Sequence, residues 1–428
     1  MRSETDGCIA AYRPVVYHRR ILMIGTFAAL VTLFSATVQS KPIAVIPFRI
    51  GEEAMIVDAV VNGRKASFMF DTGFSGAFLL NEAMNIGPAS GETVLRDFVG
   101  EFRAKNVALK SLTLGGVSIP TPDMQVVQQP LAHMSESYNT HTDGIMGIET
   151  VAPYVVEIDF QKKQMLLHPK SFDITQRKPD NNRTFLQRML PIGHNSVILQ
   201  VETPSGKRMT LALDTGNAFY GTTHKEVLEE VDLWPKGTAP KFMRTAMVGS
   251  GPVDSFYYRM PALKVFGVPV EESVWSIIDL PSSSSEHNGT VGFGFLKHFH
   301  VIFDFERRRV WLERQSDFVG SRPVADIGIS AGYDPVQKRA MIYRVTPDSP
   351  AAKAGIKAGD SLLGIDGAEV MDIGARKIQE RFEGEVGTKI KVSTSRNGLL
   401  MRHELTRAML VNGLPEGTAP SPSPASAP

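Results

Sequence analysis

The sequence predicts a mainly β protein: two homologous β lobes with a central cleft, followed by a small β domain of another kind. Three observations predict it. The tripeptide Asp-Thr-Gly occurs twice, each time ending an apolar run, as Phe68-Met69-Phe70-Asp71-Thr72-Gly73 and Leu211-Ala212-Leu213-Asp214-Thr215-Gly216. The residues around the first copy recur in order around the second. A stretch covering residues 320–411 matches neither copy.

The repeat defines the lobes. Aligning Asp71 on Asp214 also places Gly63 on Gly206, and the segment 64–70 on 207–213. Gly144-Ile145-Met146-Gly147 then matches Gly289-Thr290-Val291-Gly292, and that register runs without a gap through 156–160 against 301–305. Residues 112–119 resemble 263–270. A unit this long reads as a duplicated lobe rather than a solenoid repeat. Within each lobe, short runs of Val, Ile, Leu, Phe and Thr are broken by Gly, Asn and Pro, the pattern of β strands. Examples are 56–61, 67–70, 197–201 and 301–305. Asn62-Gly63 signals a tight hairpin, with Ser205-Gly206 at the matching place. Helices in the lobes are expected to be few and short, as at 225–231 and 294–299. The expected division is a first lobe at 41–172, a linker at 173–186 and a second lobe at 187–318.

Composition sets the outer limits. With 43% hydrophobic and 21% charged residues among 428, the chain has enough apolar material for ordinary cores. A net charge of +1 gives no electrostatic reason to expect nucleic acid. Residues 1–40 read as an export segment: Arg13, Arg19 and Arg20 precede an apolar run at 21–36, and Val38-Gln39-Ser40 offers a cleavage point. The alternative is an uncleaved anchor holding the protein to a membrane. Both readings place the body outside the cytoplasm, periplasmic or secreted. The single cysteine, Cys8, precedes the apolar run, so the body carries no disulfide and must rely on burial. Residues 412–428, ending in Pro, Ser and Ala, read as a disordered tail.

Asp71 and Asp214 are the candidate catalytic pair. Two carboxylates sharing one site cannot both ionise cheaply, so the pair holds one proton between them. The ionised member can take a proton from a bridging water while the protonated one polarises a carbonyl. Thr72 and Thr215 offer hydroxyls to bond across to the opposite loop, and Gly73 and Gly216 let each backbone approach a carboxylate. No metal or other cofactor is expected.

These residues resemble the two catalytic loops of pepsin-type and retropepsin-type aspartic proteases. Ile145-Met146-Gly147 and Thr290-Val291-Gly292 resemble that family's apolar-apolar-Gly element, and the short lobes look closer to the retroviral-like bacterial group. The resemblance covers roughly residues 43–316 and implies an aspartic endopeptidase acting on peptide or protein substrates. Ser75, beside the first loop, joins Thr72, Gly73, Thr215, Gly216 and Asn217 as supporting residues. Two departures stand out. Phe74 and Asn217 occupy the position where many members carry a hydroxyl or small residue; Asn217 can donate a side-chain hydrogen bond and Phe74 cannot, so the two aspartates are expected to differ in surroundings. No hairpin carries an obvious tyrosine; residues 94–104, with Phe98 or Phe102, are the candidate cover for the cleft.

The third unit resembles a PDZ domain of the kind attached to bacterial envelope proteases. The carrying residues are Val345-Thr346-Pro347-Asp348-Ser349-Pro350-Ala351-Ala352-Lys353-Ala354-Gly355 and Leu362-Leu363-Gly364-Ile365-Asp366-Gly367. Ser349 and Pro350 suit the cap and first position of a short helix. The resemblance implies a small β-barrel with two helices that binds C-terminal peptide tails. The carboxylate turn is expected at Ile327-Gly328-Ile329-Ser330, opposite a helix at 373–382. Gly328, Ile329, Ile378 and Phe382 are candidate binding residues, and ordinary core is an equally good reading of the three apolar ones.

Other signals are set aside. Gly328-Ile329-Ser330-Ala331-Gly332 has the serine-hydrolase elbow spacing but lacks the strand-turn-helix context. His298 and His300 have no ligand-spaced partners. Asp159 and Asp304 match each other and read as turn residues. Arg307-Arg308-Arg309 reads as a solvated turn. A functional alternative remains: a protease-fold protein without activity, acting as a PDZ-mediated peptide-binding adaptor.

Overall fold

Asn62 and Gly63 adopt φ of 48° and 79°, the left-handed pair that a two-residue hairpin needs and that Asn-Gly supplies at least cost. They join strands Ala54–Val61 and Arg64–Asp71 of a mainly β computed structural model. The structure describes residues 41–412 except 98, 132, 133, 136, 137, 139, 194, 195, 249, 250, 283–286, 335–337 and 372. The apolar run at 21–36 therefore lies outside the described residues. Among those described, no helix is long and apolar enough to cross a membrane.

Arg64–Asp71 buries Phe68, Met69 and Phe70 in succession. Such a run belongs to a strand covered on both faces. Its neighbour Gly144–Gly147 runs parallel to it, with Gly147 opposite Asp71. In the second lobe Arg208–Leu213 lies parallel to Gly289–Val291, with Leu213 opposite Val291. The matched Gly-apolar-apolar-Gly segments thus flank the matched Asp-Thr-Gly segments.

The lobes share one topology. From Gly144–Gly147 the sheet continues through Phe78–Asn81, Val126–Gln129, Glu101–Val107 and Ala89–Arg96. From Gly289–Val291 it continues through Gly221–His224, Ser273–Ile278, Gly251–Met260 and Arg244–Val248. Each outermost pair is a hairpin, hereafter the first-lobe and second-lobe hairpins. Helices are as sparse as expected, at Lys225–Glu230 and Phe293–Leu296 within this lobe.

A shared sheet joins the lobes. Val155–Asp159 pairs antiparallel with Phe299–Asp304, and Glu157 sits opposite Ile302, its own counterpart in the repeat. The axis relating the lobes crosses the sheet there. Glu157 accepts from His168 at 2.7 Å and from His300 at 2.9 Å, one histidine from each lobe. Phe160 meets Phe293 edge-on, centroids 5.5 Å apart, so the apolar core runs unbroken between lobes. Asp159 and Asp304 each accept the N–H of the third residue onward, Lys162 and Arg307, at 2.9 Å. The linker expected at 173–186 ends differently: Thr184–Arg188 pairs with Arg309–Arg314 as a strand of this sheet, because its adjacent apolar residues Phe185 and Leu186 find cover on opposite faces there.

The C-terminal domain has its own core around Ile342, Leu362, Val392 and Phe382. Ser349 caps the helix Pro350–Lys353 by accepting the Ala352 N–H at 3.2 Å. A second helix spans Ala375–Phe382 against the strand Ile329–Asp334. Ser330 lies within that strand, not on a strand-to-helix elbow. Asn412, at the expected start of the tail, is 6% exposed and bridges to Tyr258 of the second lobe.

Candidate functional site

Asp71 ends one apolar strand and Asp214 follows its repeat, and the two turns meet at the axis. Thr72 Oγ1 donates to the Leu213 carbonyl at 2.6 Å and accepts the Thr215 N–H at 3.0 Å. Thr215 Oγ1 donates to the Phe70 carbonyl at 2.7 Å and accepts the Thr72 N–H at 3.0 Å. Both threonines are buried, at 2% and 0%. Four hydrogen bonds between the opposite turns, closed on themselves away from water, fix their separation.

The glycines bring backbone N–H groups to a carboxylate and also make room for the acid of the opposite lobe. Neither Gly73 nor Gly216 has a left-handed φ. A Cβ on Gly73 would stand 2.8 Å from Asp214 Cγ, and one on Gly216 would stand 2.5 Å from Asp71 Cγ. Each glycine clears space for the carboxyl of the opposite lobe. The N–H groups of Gly73 and Phe74 donate to Asp71 Oδ1 at 2.7 and 3.2 Å. Those of Gly216 and Asn217 donate to Asp214 Oδ1 at 2.8 and 3.1 Å.

Side chains after the tripeptides do not distinguish the two acids as expected. Asn217 spends its Nδ2 on Thr222 Oγ1 and Thr290 Oγ1, at 3.0 and 2.6 Å, and its Oδ1 on the Phe219 N–H. Two threonine hydroxyls consume the amide, so only its backbone reaches Asp214. Phe74 turns into an apolar cluster with Met69 and Leu79. Ser75 is exposed.

Each carboxyl lies against the glycine of the opposite turn and perturbs the ionisation of the other. Burial pushes Asp71 up, and the bonds from Asp214, Gly73 and Phe74 oppose that rise. Asp214 is driven well above the ordinary carboxylate range by burial and then by the charge of Asp71. Asp71 is therefore the member that ionises first, and Asp214 keeps the proton.

The first-lobe hairpin pairs Ala89–Arg96 with Glu101–Val107 and reaches the site through the Phe74 cluster. Phe98 lies outside the described residues. Phe102 and Leu95 pack inward on the Phe74 cluster. Val99 at the tip crosses to the second lobe and seats among Phe219, Ala246, Val248, Val253 and Ile278.

Tyr138 went unnoticed in the sequence. It comes from the segment after Val126–Gln129 rather than from the hairpin, yet its ring joins Phe74, Leu95 and Phe102. Burial raises its hydroxyl pKa first, followed by the charges of Asp71 and Asp214. It thus stays protonated beside the pair, as a donor. Its backbone is fixed by bonds from Glu52 N–H to its carbonyl and from its own N–H to Met134, both 3.0 Å. A search confined to hairpins misses it; its closeness in sequence to Gly144-Ile145-Met146-Gly147 is the signal that was available.

In the C-terminal domain Ile329, Ile378 and Phe382 are 1%, 0% and 0% exposed and belong to its core. The strand and helix expected to border a groove touch: a Cβ on Gly332 would lie 3.2 Å from Ala375 Cβ. Gly328 donates its N–H to Asp326 Oδ1 at 2.5 Å.

Comparison with known proteins bears on this arrangement in parts. Residues 341–393 match the family profile of the PDZ domain, so the C-terminal domain is a PDZ domain, a peptide-binding module. The periplasmic pH-dependent serine endoprotease DegQ of Escherichia coli K12 is 35% identical over 88 residues, 20% of this chain and 19% of that protein. The chain spans about a fifth of the length of the curated relatives it matches. Among solved structures, the photosystem II D1 C-terminal processing protease shares 26% identity at a TM-score of 0.20, over 21% of this chain and 24% of that one. The aspartic proteinase from Irpex lacteus shares 13% identity at a TM-score of 0.41, over 64% of this chain and 98% of that one.

Proposed function

We propose that this chain is an exported aspartic endopeptidase of the retropepsin-like kind, with a PDZ module that recruits substrate or regulates the cleft. One observation carries the reading: two carboxyls from duplicated turns, Asp214 buried and Asp71 half-buried, are held face to face by the Thr72–Thr215 clasp. Structural ion pairs rarely put two acids together; a shared proton needs such an arrangement.

The chemistry follows from the unequal acids. Ionised Asp71 takes a proton from a water lying between the carboxyls as its oxygen attacks the scissile carbonyl carbon. Protonated Asp214 donates to the carbonyl oxygen, giving a neutral gem-diol. Asp71, now protonated, passes its proton to the leaving amide nitrogen; the diol returns a proton to Asp214 as the C–N bond breaks. Water ends as one acid hydroxyl and one amine hydrogen, and the pair regains its single proton. The body acts outside the cytoplasm, either free in the periplasm, secreted, or attached through the apolar segment at 21–36.

The deciding experiment is peptide cleavage by Asp71→Asn and Asp214→Asn. Each is expected to lose about a hundredfold or more in kcat, the scale of a lost acid–base group. Full cleavage by either variant removes the pair from the mechanism. The raised Asp214 pKa adds a second readout. A group raised on folding contributes stability only below its unfolded value and loses it as pH rises through the folded one. Asp214→Asn should therefore melt higher than the parent at neutral pH. The adaptor reading draws on Phe74 standing where relatives of the proposed kind carry a hydroxyl. It expects no cleavage of any peptide library, and inhibition of cleavage by a statine-type compound excludes it.

A further inference from the structure

The turn expected to capture a peptide's terminal carboxylate already holds one. Asp326 is 1% exposed. Its Oδ1 accepts the Gly328 N–H, and its Oδ2 accepts from Arg244 Nη2 and Gln379 Nε2, both at 2.7 Å. Gln379 lies on the PDZ helix Ala375–Phe382. Arg244 comes from outside the domain, at the start of the second-lobe hairpin. Thr346 Oγ1 adds a bond to the Met243 carbonyl at 2.9 Å. The seam, lined by Phe242, Arg244, Tyr257, Gly328, Ile329 and Ser330, encloses about 10 Å³. That is no more than one water's worth of space, and no peptide fits.

Arg244 also faces the cleft machinery. Its guanidinium lies 4.6 Å from the Tyr257 ring centroid, and Tyr257 meets Phe219 edge-on at 6.0 Å. The Phe219 N–H donates to Asn217 Oδ1, and the Asn217 N–H donates to Asp214 Oδ1. Phe219 packs with Ala246, Val248 and Val253 around Val99, the tip of the first-lobe hairpin. The hairpin that grips the PDZ turn is therefore the one that seats the cover.

We propose that Asp326 and Arg244 keep the carboxylate turn of the PDZ domain occupied from within, and that the α-carboxylate of a peptide displacing them releases the cover. The inference rests on the dyad reading of the cleft. A buried carboxylate with three donors tolerates no second anion beside it, so the newcomer must take Arg244 and the Gly328 N–H. The turn must also part from the lobe to admit the peptide's last side chain. That separation removes the support of the second-lobe hairpin, and with it the seat of Val99. Linkage makes the effect reciprocal: an open cover favours peptide binding by the same factor.

The test is hydrogen exchange on the full chain carrying Asp214→Asn, with an apolar peptide ending in a free carboxylate and with its amidated twin. The free acid should speed exchange across residues 244–260 and 95–102, and the amide should not. Arg244→Met should exchange quickly in both segments without peptide. Gln379→Leu, which deletes the one donor Asp326 keeps once the peptide has taken Arg244 and the Gly328 N–H, should bind the free acid more weakly than the parent. In the active chain, the free acid should raise cleavage of an end-blocked substrate roughly fivefold or more, and Arg244→Met should start high and not respond. Equal responses to acid and amide, or unchanged exchange in both segments, overturn the proposal. Exchange needs no catalysis, so a chain that cleaves nothing would sink the dyad reading while this result still stood or fell by itself.

Discussion

Replacing Thr72 by Val tests the clasp most directly, because valine keeps the shape and deletes one hydroxyl. That hydroxyl donates to the Leu213 carbonyl and accepts the Thr215 N–H, at 2.6 and 3.0 Å. Both partners are backbone groups in a region closed to water, so both are left without that bond. At about 1–3 kcal/mol for each of the two buried groups deprived of its bond, the loss is about 2–6 kcal/mol. For lobes of this size that is a fall in Tm of roughly 5–15 °C. The two turns would also drift, and misplacement of a reacting group by about 1 Å costs on the order of a hundredfold in rate. Differential scanning calorimetry and steady-state cleavage read the two effects. Thr72→Ser restores the hydroxyl and should recover most of both. If Thr72→Val melts within about 1 °C of the parent and cleaves at the parent's rate, the clasp does not set the carboxyl separation.

Gly216→Ala should fold but lose cleavage, since the new Cβ would stand 2.5 Å from Asp71 Cγ; a variant with unchanged kcat shows the loops have room to spare. Tyr138→Phe should lower kcat by roughly tenfold or more while leaving KM near the parent's, as expected for a hydrogen bond to a charged group; an unchanged kcat assigns Tyr138 to packing alone. Burial would raise the Glu157 carboxyl, but bonds from His168 and His300 outweigh it and hold its pKa at about 2. A carboxyl lowered on folding contributes stability above its ordinary value of 4.5, and that stability fades as pH falls toward 2. Glu157→Gln should therefore cost roughly 3 kcal/mol at pH 6 and much less near pH 2; chemical denaturation at both pH values showing one constant difference would refute the linkage.

Much of this was legible in the chain because duplication writes its symmetry twice. The matched blocks at 156–160 and 301–305 are the strands that pair across the axis, and the Gly-apolar-apolar-Gly blocks are the parallel neighbours of the two Asp-Thr-Gly strands. Asn62-Gly63 announced its hairpin because few residues tolerate positive φ. What stayed hidden depends on contacts between distant segments. Gly73 and Gly216 read as places where backbone meets a carboxylate, and only the opposite lobe reveals that they also make room for one. Asn217 looked like a donor to Asp214 until Thr222 and Thr290, both from other strands, were seen to hold its amide. Tyr138 has no repeat signal at all, since its value lies in reaching a site that another segment builds. Ile329, Ile378 and Phe382 show the converse limit: an apolar groove and an apolar core share one composition, and only packing separates them.

The two hairpins carry this argument one step further. They are counterparts, each the outermost pair of its lobe's sheet, yet they make different contacts. The first-lobe hairpin sends Val99 across the cleft. The second-lobe hairpin receives it on Ala246, Val248 and Val253, and offers its outer residues Arg244 and Tyr258 to the PDZ domain and to Asn412. A symmetric dyad needs both lobes alike only at the axis, where Thr72 and Thr215 exchange identical bonds. Away from the axis the copies are free to diverge, and here the divergence sends one hairpin across to the other lobe and sets the other against a peptide-binding domain. Polar contacts hold that seam: the buried Arg244–Asp326 pair, the Thr346 bond and the Arg344–Asp254 pair. Such contacts separate more readily than an apolar face of the same size, because water can replace each bond as it breaks. A seam built this way suits a junction that opens, whereas the unbroken apolar core between the lobes suits one that does not.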